Sequence, residues 1–363
     1  MITSFKSFPK LTVSAALVSV TLLLGACGSG GPSAGSAASS PAAQASSAVS
    51  TPAPTKTEEK VQTINFAYMP NMGGAAPITV GEEKGFFKEA GVKLNAVKFL
   101  SGPPEFQAMA SGDVDIAYIG PGATFLSAQG QGNIIGLVSL GKSDMVYATK
   151  KSGIKEWKDL KGKIVGVPKG TSGEMVLNLG LEKAGLKASD VNIVNMDVAG
   201  AVTAYVAGKV DAVAIWSPYT AEIEKQVGKE NMIKLGDNSS FFPEYSFPSS
   251  WVVSAKFLKE KPELVEKFMK AMNKTTDYKI AHLDEAVKLT AAYTQVPEDS
   301  LKEELTSIDW IDSKKQAEVF KDGSAKKWFD NLQKLFVANG KMQSAVPSEN
   351  FMTTEPAIKA VQP

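Results

Sequence analysis

This sequence predicts an α/β protein of two lobes, each a mostly parallel sheet flanked by helices. Three observations carry that prediction. From Val61 onward, short apolar runs alternate with amphipathic stretches, the order expected of strands joined by helices. A strand-and-loop passage beginning at Gly112 is echoed 96 residues later, at Gly208. Roughly 300 residues carry the pattern, enough for two separate cores.

The chain begins differently. Lys6 and Lys10 precede a mostly apolar run over residues 11–24, which Ser14, Ser19 and Thr21 interrupt. Charge, apolar run, then small residues is the order of an export signal. The run is too short to span a bilayer comfortably. It ends in Leu24-Gly25-Ala26-Cys27, which resembles a bacterial lipobox, and Cys27 is the only cysteine of the chain. The resemblance implies cleavage before Cys27 and a diacylglyceryl group on its thiol; one acyl chain alone would anchor only marginally. Residues 28–61 are mainly Ser, Ala, Pro, Gly and Thr, the composition of a flexible tether.

The folded part opens with a strand at 64–68 and the loop Met69-Pro70-Asn71-Met72-Gly73-Gly74. Residues 76–90 read as one helix with Pro77 in its first turn, stopped by Gly91. A strand at 92–99, a helix starting at Ser101-Gly102-Pro103-Pro104 and a strand at 114–119 follow. Gly120-Pro121-Gly122 then leads into another helix. The passage Gly112-Asp113-Val114-Asp115 is matched by Gly208-Lys209-Val210-Asp211. Between the two copies lie a strand within 160–168, the loop Lys169-Gly170-Thr171-Ser172-Gly173-Glu174 and a strand at 191–196. Thr171 and Glu174 have the spacing of a capping box. Residues 222–237 finish the second lobe, and Trp251-Val252-Val253 reads as a strand returning to the first. Residues 255–340 are largely helical, with starts at Pro262, Asp284 and Pro297. The expected divisions are 1–27 signal, 28–61 tether, 62–147 plus 249–345 first lobe, 148–248 second lobe, and 346–363 a C-terminal tail.

Composition removes several function classes. Without residues 1–27 the chain has 37 basic and 38 acidic residues, a formal charge of −1 that argues against nucleic acid as a partner. Every basic residue is lysine, so no guanidinium can grip an anion in bidentate fashion. A single histidine, His282, gives no basis for a His triad or a multi-His metal site. No cofactor is expected.

Four segments carry a family resemblance. They are Glu82-Glu83-Lys84-Gly85-Phe86-Phe87-Lys88-Glu89-Ala90-Gly91-Val92, then Phe106-Gln107-Ala108-Met109-Ala110-Ser111-Gly112-Asp113-Val114-Asp115. The third is Asp159-Leu160-Lys161-Gly162-Lys163-Ile164-Val165-Gly166-Val167-Pro168-Lys169-Gly170, and the last is Ala214-Ile215-Trp216-Ser217-Pro218-Tyr219. In this order behind a lipobox, the chain resembles the solute-binding proteins of ABC importers, within the nitrate, sulfonate, taurine and pyrimidine-precursor group. The resemblance implies a type II periplasmic-binding-protein-like fold with two crossovers and a ligand held between the lobes. It departs from the family at Ser217, where an acid commonly follows the tryptophan.

Ligands of open α/β sheets sit outside the carboxyl ends of the strands, where helix N-termini offer free N–H groups to anions. The site candidates follow from that rule. Tyr68, Asn71, Gly73 and Gly74 end the first strand, and Ser101 and Gly102 the second. Gly120, Pro121 and Thr124 follow the third, Thr171 and Ser172 open the second-lobe helix, and Trp216, Ser217 and Tyr219 end the repeat strand. Glu244 lies before the return crossover. A plain turn at Gly73 and Gly74, or a helix cap at Thr171, would explain those residues equally simply. Lys142 and Lys169 are weaker anion candidates, because most lysines are solvated. The expected solute is a small organic anion, with an aliphatic sulfonate or a taurine-like molecule first. Nitrate, bicarbonate and a thiamine-pyrimidine precursor are the alternatives; an enzyme or a sensor on the same fold ranks below them. The expected partners are an ABC permease with its ATPase and the membrane through the lipid anchor. The expected protein is a monomer, not an enzyme, on the extracytoplasmic face of the cell membrane.

Overall fold

The computed structural model describes residues 60–361. Cys27, the export signal and nearly all of the tether lie outside the described residues. Among the described residues, eleven strands are arranged in two sheets: β1 (Gln62–Tyr68), β2 (Val92–Lys98), β3 (Ile116–Ile119), β4 (Asn133–Gly141), β5 (Asp144–Thr149), β6 (Ile164–Val167), β7 (Asn192–Asn195), β8 (Ala212–Trp216), β9 (Met232–Asp237), β10 (Pro248–Val253) and β11 (Ile308–Trp310). The first sheet has the order β11-β4-β10-β3-β1-β2 and the second β7-β6-β8-β5-β9. Two α/β lobes flanked by helices are therefore present.

Each sheet is mixed, not mostly parallel. Within β2-β1-β3 and within β7-β6-β8 the pairs are parallel, as helical returns across a sheet require. The pairs of β5 and β10 are antiparallel, because each of these strands enters a sheet from the other lobe without a helical return, and the edge pair β11-β4 is antiparallel as well. The lobes are joined by residues 142–143 and 238–247. The expected first boundary, at 147/148, is thus corrected: it falls inside β5, which already pairs with β8. The return was expected at 249, and β10 begins at Pro248.

Three local expectations are also corrected. The helix expected over 76–90 is two helices, Ala76–Glu83 and Phe86–Glu89, with Gly85 between them at φ 72°, a left-handed conformation that suits glycine. Residues 346–361 are no loose tail. Phe351 is fully buried, its carbonyl accepts the Ile134 N–H at 2.8 Å, and the Ala357 carbonyl accepts the Asn273 amide at 3.2 Å. The strand β11 was not foreseen, since three residues show no period. It pairs with β4 at the edge of the first sheet and brings the preceding helix, Glu298–Thr306, beside the lobes' junction.

Trp251 of β10 centres the first lobe's core. It is 1% exposed and packs against Phe66 at 5.7 Å and Tyr118 at 5.6 Å between ring centroids. The long helix Pro262–Ala281 starts at Pro262 as expected and buries Phe268, Met269 and Met272 against this sheet. Among the described residues, no helix is long and apolar enough to cross a membrane.

Candidate functional site

The carboxyl ends of β1, β3, β6 and β8 converge on one cavity of about 50 Å³. Asn71 and Gly73 come from the loop after β1. The Asn71 side chain accepts the Gly74 N–H at 2.8 Å and so closes that turn. A Cβ on Gly73 would fall on the Tyr118 hydroxyl, which explains why glycine occupies a position lining the cavity. Gly102, Gly120 and Pro121 complete the first lobe's loops at the wall.

The second lobe contributes Thr171 and Ser172 at the start of the helix Ser172–Lys183, and Trp216 and Ser217 after β8. The capping box expected from Thr171 and Glu174 does not form. Thr171 occupies the cap position, but its hydroxyl donates to the Pro168 carbonyl at 2.6 Å. The Glu174 carboxylate instead accepts the Gly170 N–H at 2.6 Å and the Lys341 ammonium at 2.8 Å. Ser172 donates its hydroxyl proton to the Asp144 carboxylate. Trp216 is buried, with Tyr219 packed edge-on against it at 5.9 Å.

Two carboxyl groups line the cavity. Asp144 is 4% exposed, and burial pushes its pKa up to about 6 against the hydrogen bond from the Ser172 hydroxyl; its backbone N–H donates to the Asn238 Oδ1 at 2.8 Å. Glu304, on the helix Glu298–Thr306, is 1% exposed. Its Oε2 accepts the Met72 N–H at 2.9 Å, while Oε1 is buried with no hydrogen-bond partner. Burial pushes the Glu304 pKa up to about 8, and the charge of Lys279 opposes that shift. Lys279 is itself fully buried, 3.6 Å from the centre of the Trp310 ring, and burial lowers its pKa. Lys279 does not reach the cavity wall; among the described residues no lysine does.

Nine of the residues expected at the site meet there: Asn71, Gly73, Gly102, Gly120, Pro121, Thr171, Ser172, Trp216 and Ser217. Six do not line it. Tyr68 packs on Tyr293 at 5.7 Å, Gly74 serves the Asn71 turn, and Ser101 precedes the helix Gly102–Ser111 without a side-chain hydrogen bond to it. Thr124 is wholly buried, with its hydroxyl unpartnered, and Tyr219 backs Trp216 from behind. Glu244 is exposed, and its carbonyl accepts the Asn331 amide. Lys142 pairs with Asp309 at 2.8 Å, and Lys169 is solvated. His282 stacks on Tyr278 at 4.0 Å, far from this constellation in the chain.

Sequence reasoning missed Tyr118, Ser139, Ser143, Asp144, Ser249 and Glu304. Two of these carried a signal. The pair Ser143-Asp144 interrupts the apolar runs of β4 and β5. Helical spacing puts Glu304 on the same face as Leu301, toward the core, where an acid needs a reason.

The two lobes touch beside the cavity. A Cβ on Gly122 would collide with the backbone of Thr171 and Ser172, so first-lobe and second-lobe main chains lie in direct contact.

Known proteins share this chain's pattern. The family described as NMT1/THI5 like matches residues 73–286. A putative binding protein of Brucella abortus is 33% identical over 288 residues, covering 79% of this chain and 89% of that protein. A putative aliphatic sulfonates-binding protein of Bacillus subtilis is 31% identical over 222 residues, 59% of this chain and 65% of that one. The taurine-binding periplasmic protein of Escherichia coli is 31% identical over 203 residues, 54% of this chain and 61% of that one. Among solved structures, the alkanesulfonate-binding protein SsuA of Xanthomonas axonopodis pv. citri, bound to MOPS, superposes with TM-score 0.66 at 19% identity, covering 82% of this chain and 99% of that one. The desulfurization enzyme DSZB has TM-score 0.58 at 17% identity, covering 82% and 98%. The fold is that of the periplasmic binding proteins.

Proposed function

Because the chain belongs to the NMT1/THI5-like family, we propose that it is the extracytoplasmic solute-binding component of an ABC importer, held at the membrane by lipid on Cys27. Its solute is a small sulfonate, with a taurine-like molecule first. The observation that supports this most is the cavity itself. It lies where the two lobes meet, and both lobes supply hydroxyls and backbone to its wall. At about 50 Å³ it has room for more than a single water. The start of the helix Ser172–Lys183 faces this space, where unpaired N–H groups favour an anionic oxygen. The hydroxyls of Ser139, Ser143 and Ser249 add donors that need no charge.

Capture works by closure. A solute that contacts both walls binds the closed arrangement more tightly than the open one, and that difference drives the lobes together. The closed form then presents its surface to the permease. The only cysteine is Cys27, so cysteine chemistry is not available in the cavity and an enzymatic role is disfavoured. A thermal-shift screen of the purified protein against sulfonates, oxyanions and pyrimidines tests the ligand class. Stabilisation by a small sulfonate is the expected result; no shift with any sulfonate rejects it.

The Lys341–Glu174 ion pair joins the first lobe's C-terminal region to the first turn of the second lobe's helix Ser172–Lys183. Lys341→Met should therefore favour the open form. The pair is partly exposed, so its loss is worth about 0.5–1 kcal/mol and weakens binding two- to five-fold. Titration of the bound solute off the variant checks this; an unchanged dissociation constant would remove the pair from the closure mechanism.

A further inference from the structure

We propose that the solute carries a protonated nitrogen, held between Glu304 of the first lobe and Asp144 of the second. This rests on the reading of the cavity as a solute site and narrows it. Both carboxyls line the same small cavity, one from each lobe, and both are almost wholly buried. Among the described residues the Glu304 Oε1 has no hydrogen-bond partner. No described lysine shares the wall, and the chain has no arginine. A buried carboxylate without a partner is costly unless it is neutralised or paired. An ammonium group supplies the missing partner to Glu304 and a counter-charge to Asp144 and, by bridging the lobes, favours closure.

The groups that face these acids do not fill that role. Lys279, on Pro262–Ala281, influences Glu304 through space, but its ammonium lies over Trp310, away from the wall. Tyr118 on β3 and Tyr219 on the helix Tyr219–Val227 present phenols to the field of Glu304 and stay neutral, since burial raises both. Among the described residues the Asp144 carboxylate has the uncharged Ser172 hydroxyl as its partner, while Asn238 accepts the Asp144 backbone N–H.

The rival arrangement is a plain anion that accepts a hydrogen bond from protonated Glu304. The two have opposite signs with pH. Burial holds both free acids above the ordinary carboxyl range, near 6 for Asp144 and near 8 for Glu304. A bound cation favours their ionised forms, so binding releases protons and affinity rises with pH across this interval, then levels off. An anion held by the protonated acid binds less well over the same rise.

Calorimetric titrations with taurine, β-alanine and ethanesulfonate at pH 6 and pH 8 test the proposal. Taurine shares its skeleton with the other two, one lacking the sulfonate and one lacking the amine. The expected result is that taurine binds at least about ten-fold tighter than ethanesulfonate and tighter at the higher pH. Glu304→Gln keeps an acceptor for the Met72 N–H, and should lose about ten-fold in taurine affinity together with most of the pH rise. Asp144→Asn is the second variant should Glu304→Gln fold poorly, and the wild-type comparison needs neither. Binding of β-alanine without either sulfonate upholds the ammonium and rejects the sulfonate. Ethanesulfonate binding as tightly as taurine overturns the proposal and leaves the sulfonate reading intact. Binding of none of the three overturns both.

Discussion

Gly122→Val is expected to leave both lobes folded and to weaken solute binding at least about 100-fold. Gly122 belongs to the short turn Pro121–Ala123 of the first lobe, and its conformation is not one reserved for glycine. The free first lobe therefore accepts the larger residue without backbone strain. The obstacle is in the other lobe: a Cβ here meets the backbone of Thr171 and Ser172. Backbone at a helix start cannot rotate aside, so the lobes must stay apart by the width of the added atoms. Closure loses its favourable contacts, and the solute keeps only one wall. Titration of the variant and of the wild-type protein with the same solute measures the difference. Equal affinities would mean that close approach of Gly122 to Thr171 plays no part in binding.

Trp251→Ala is expected to have the largest effect on stability, about 3–5 kcal/mol. The indole is buried between Phe66 and Tyr118, in the strand that links the returning crossover to the parallel part of the first sheet. Its loss leaves a void that a sheet paired on both sides of β10 cannot collapse into. The melting transition of the first lobe should fall by roughly 10 °C. Tyr118, whose ring leans on Trp251 and which also lines the cavity, loses its support, so solute binding should weaken as well. Phe242→Ala, at a side chain 37% exposed, should change the transition little. Scanning calorimetry distinguishes the two; a shift of only a degree or two for Trp251→Ala would contradict this account of the core.

Much of the site was legible because it lies in βα loops. Apolar runs mark where β1, β6 and β8 end, and residues just beyond those ends face the crevice of an α/β sheet. Asn71, Thr171, Ser172, Trp216 and Ser217 were found by that rule alone. The same rule misplaced Tyr68 and Thr124. Whether a residue at a strand end faces the crevice or the core depends on what packs behind it, and for Tyr68 that is Tyr293, more than two hundred residues away in the chain. Tyr118 failed in the opposite direction, since a strand period gives the face of a residue but not what lies over that face. Glu304 needed the longest chain of tertiary facts. It reaches the cavity because the three-residue strand β11 pairs with the edge strand β4, and no local pattern announces that pairing. Asp144 was hidden by the boundary expected four residues later, which put it inside the first lobe instead of at the crossover.

Closure of the two lobes around a small solute is measured by small-angle scattering of the protein with and without saturating taurine, run beside Gly122→Val. The radius of gyration of the wild-type protein should contract on binding, and the variant's should not. An unchanged wild-type radius under conditions where calorimetry shows taurine bound would rule closure out.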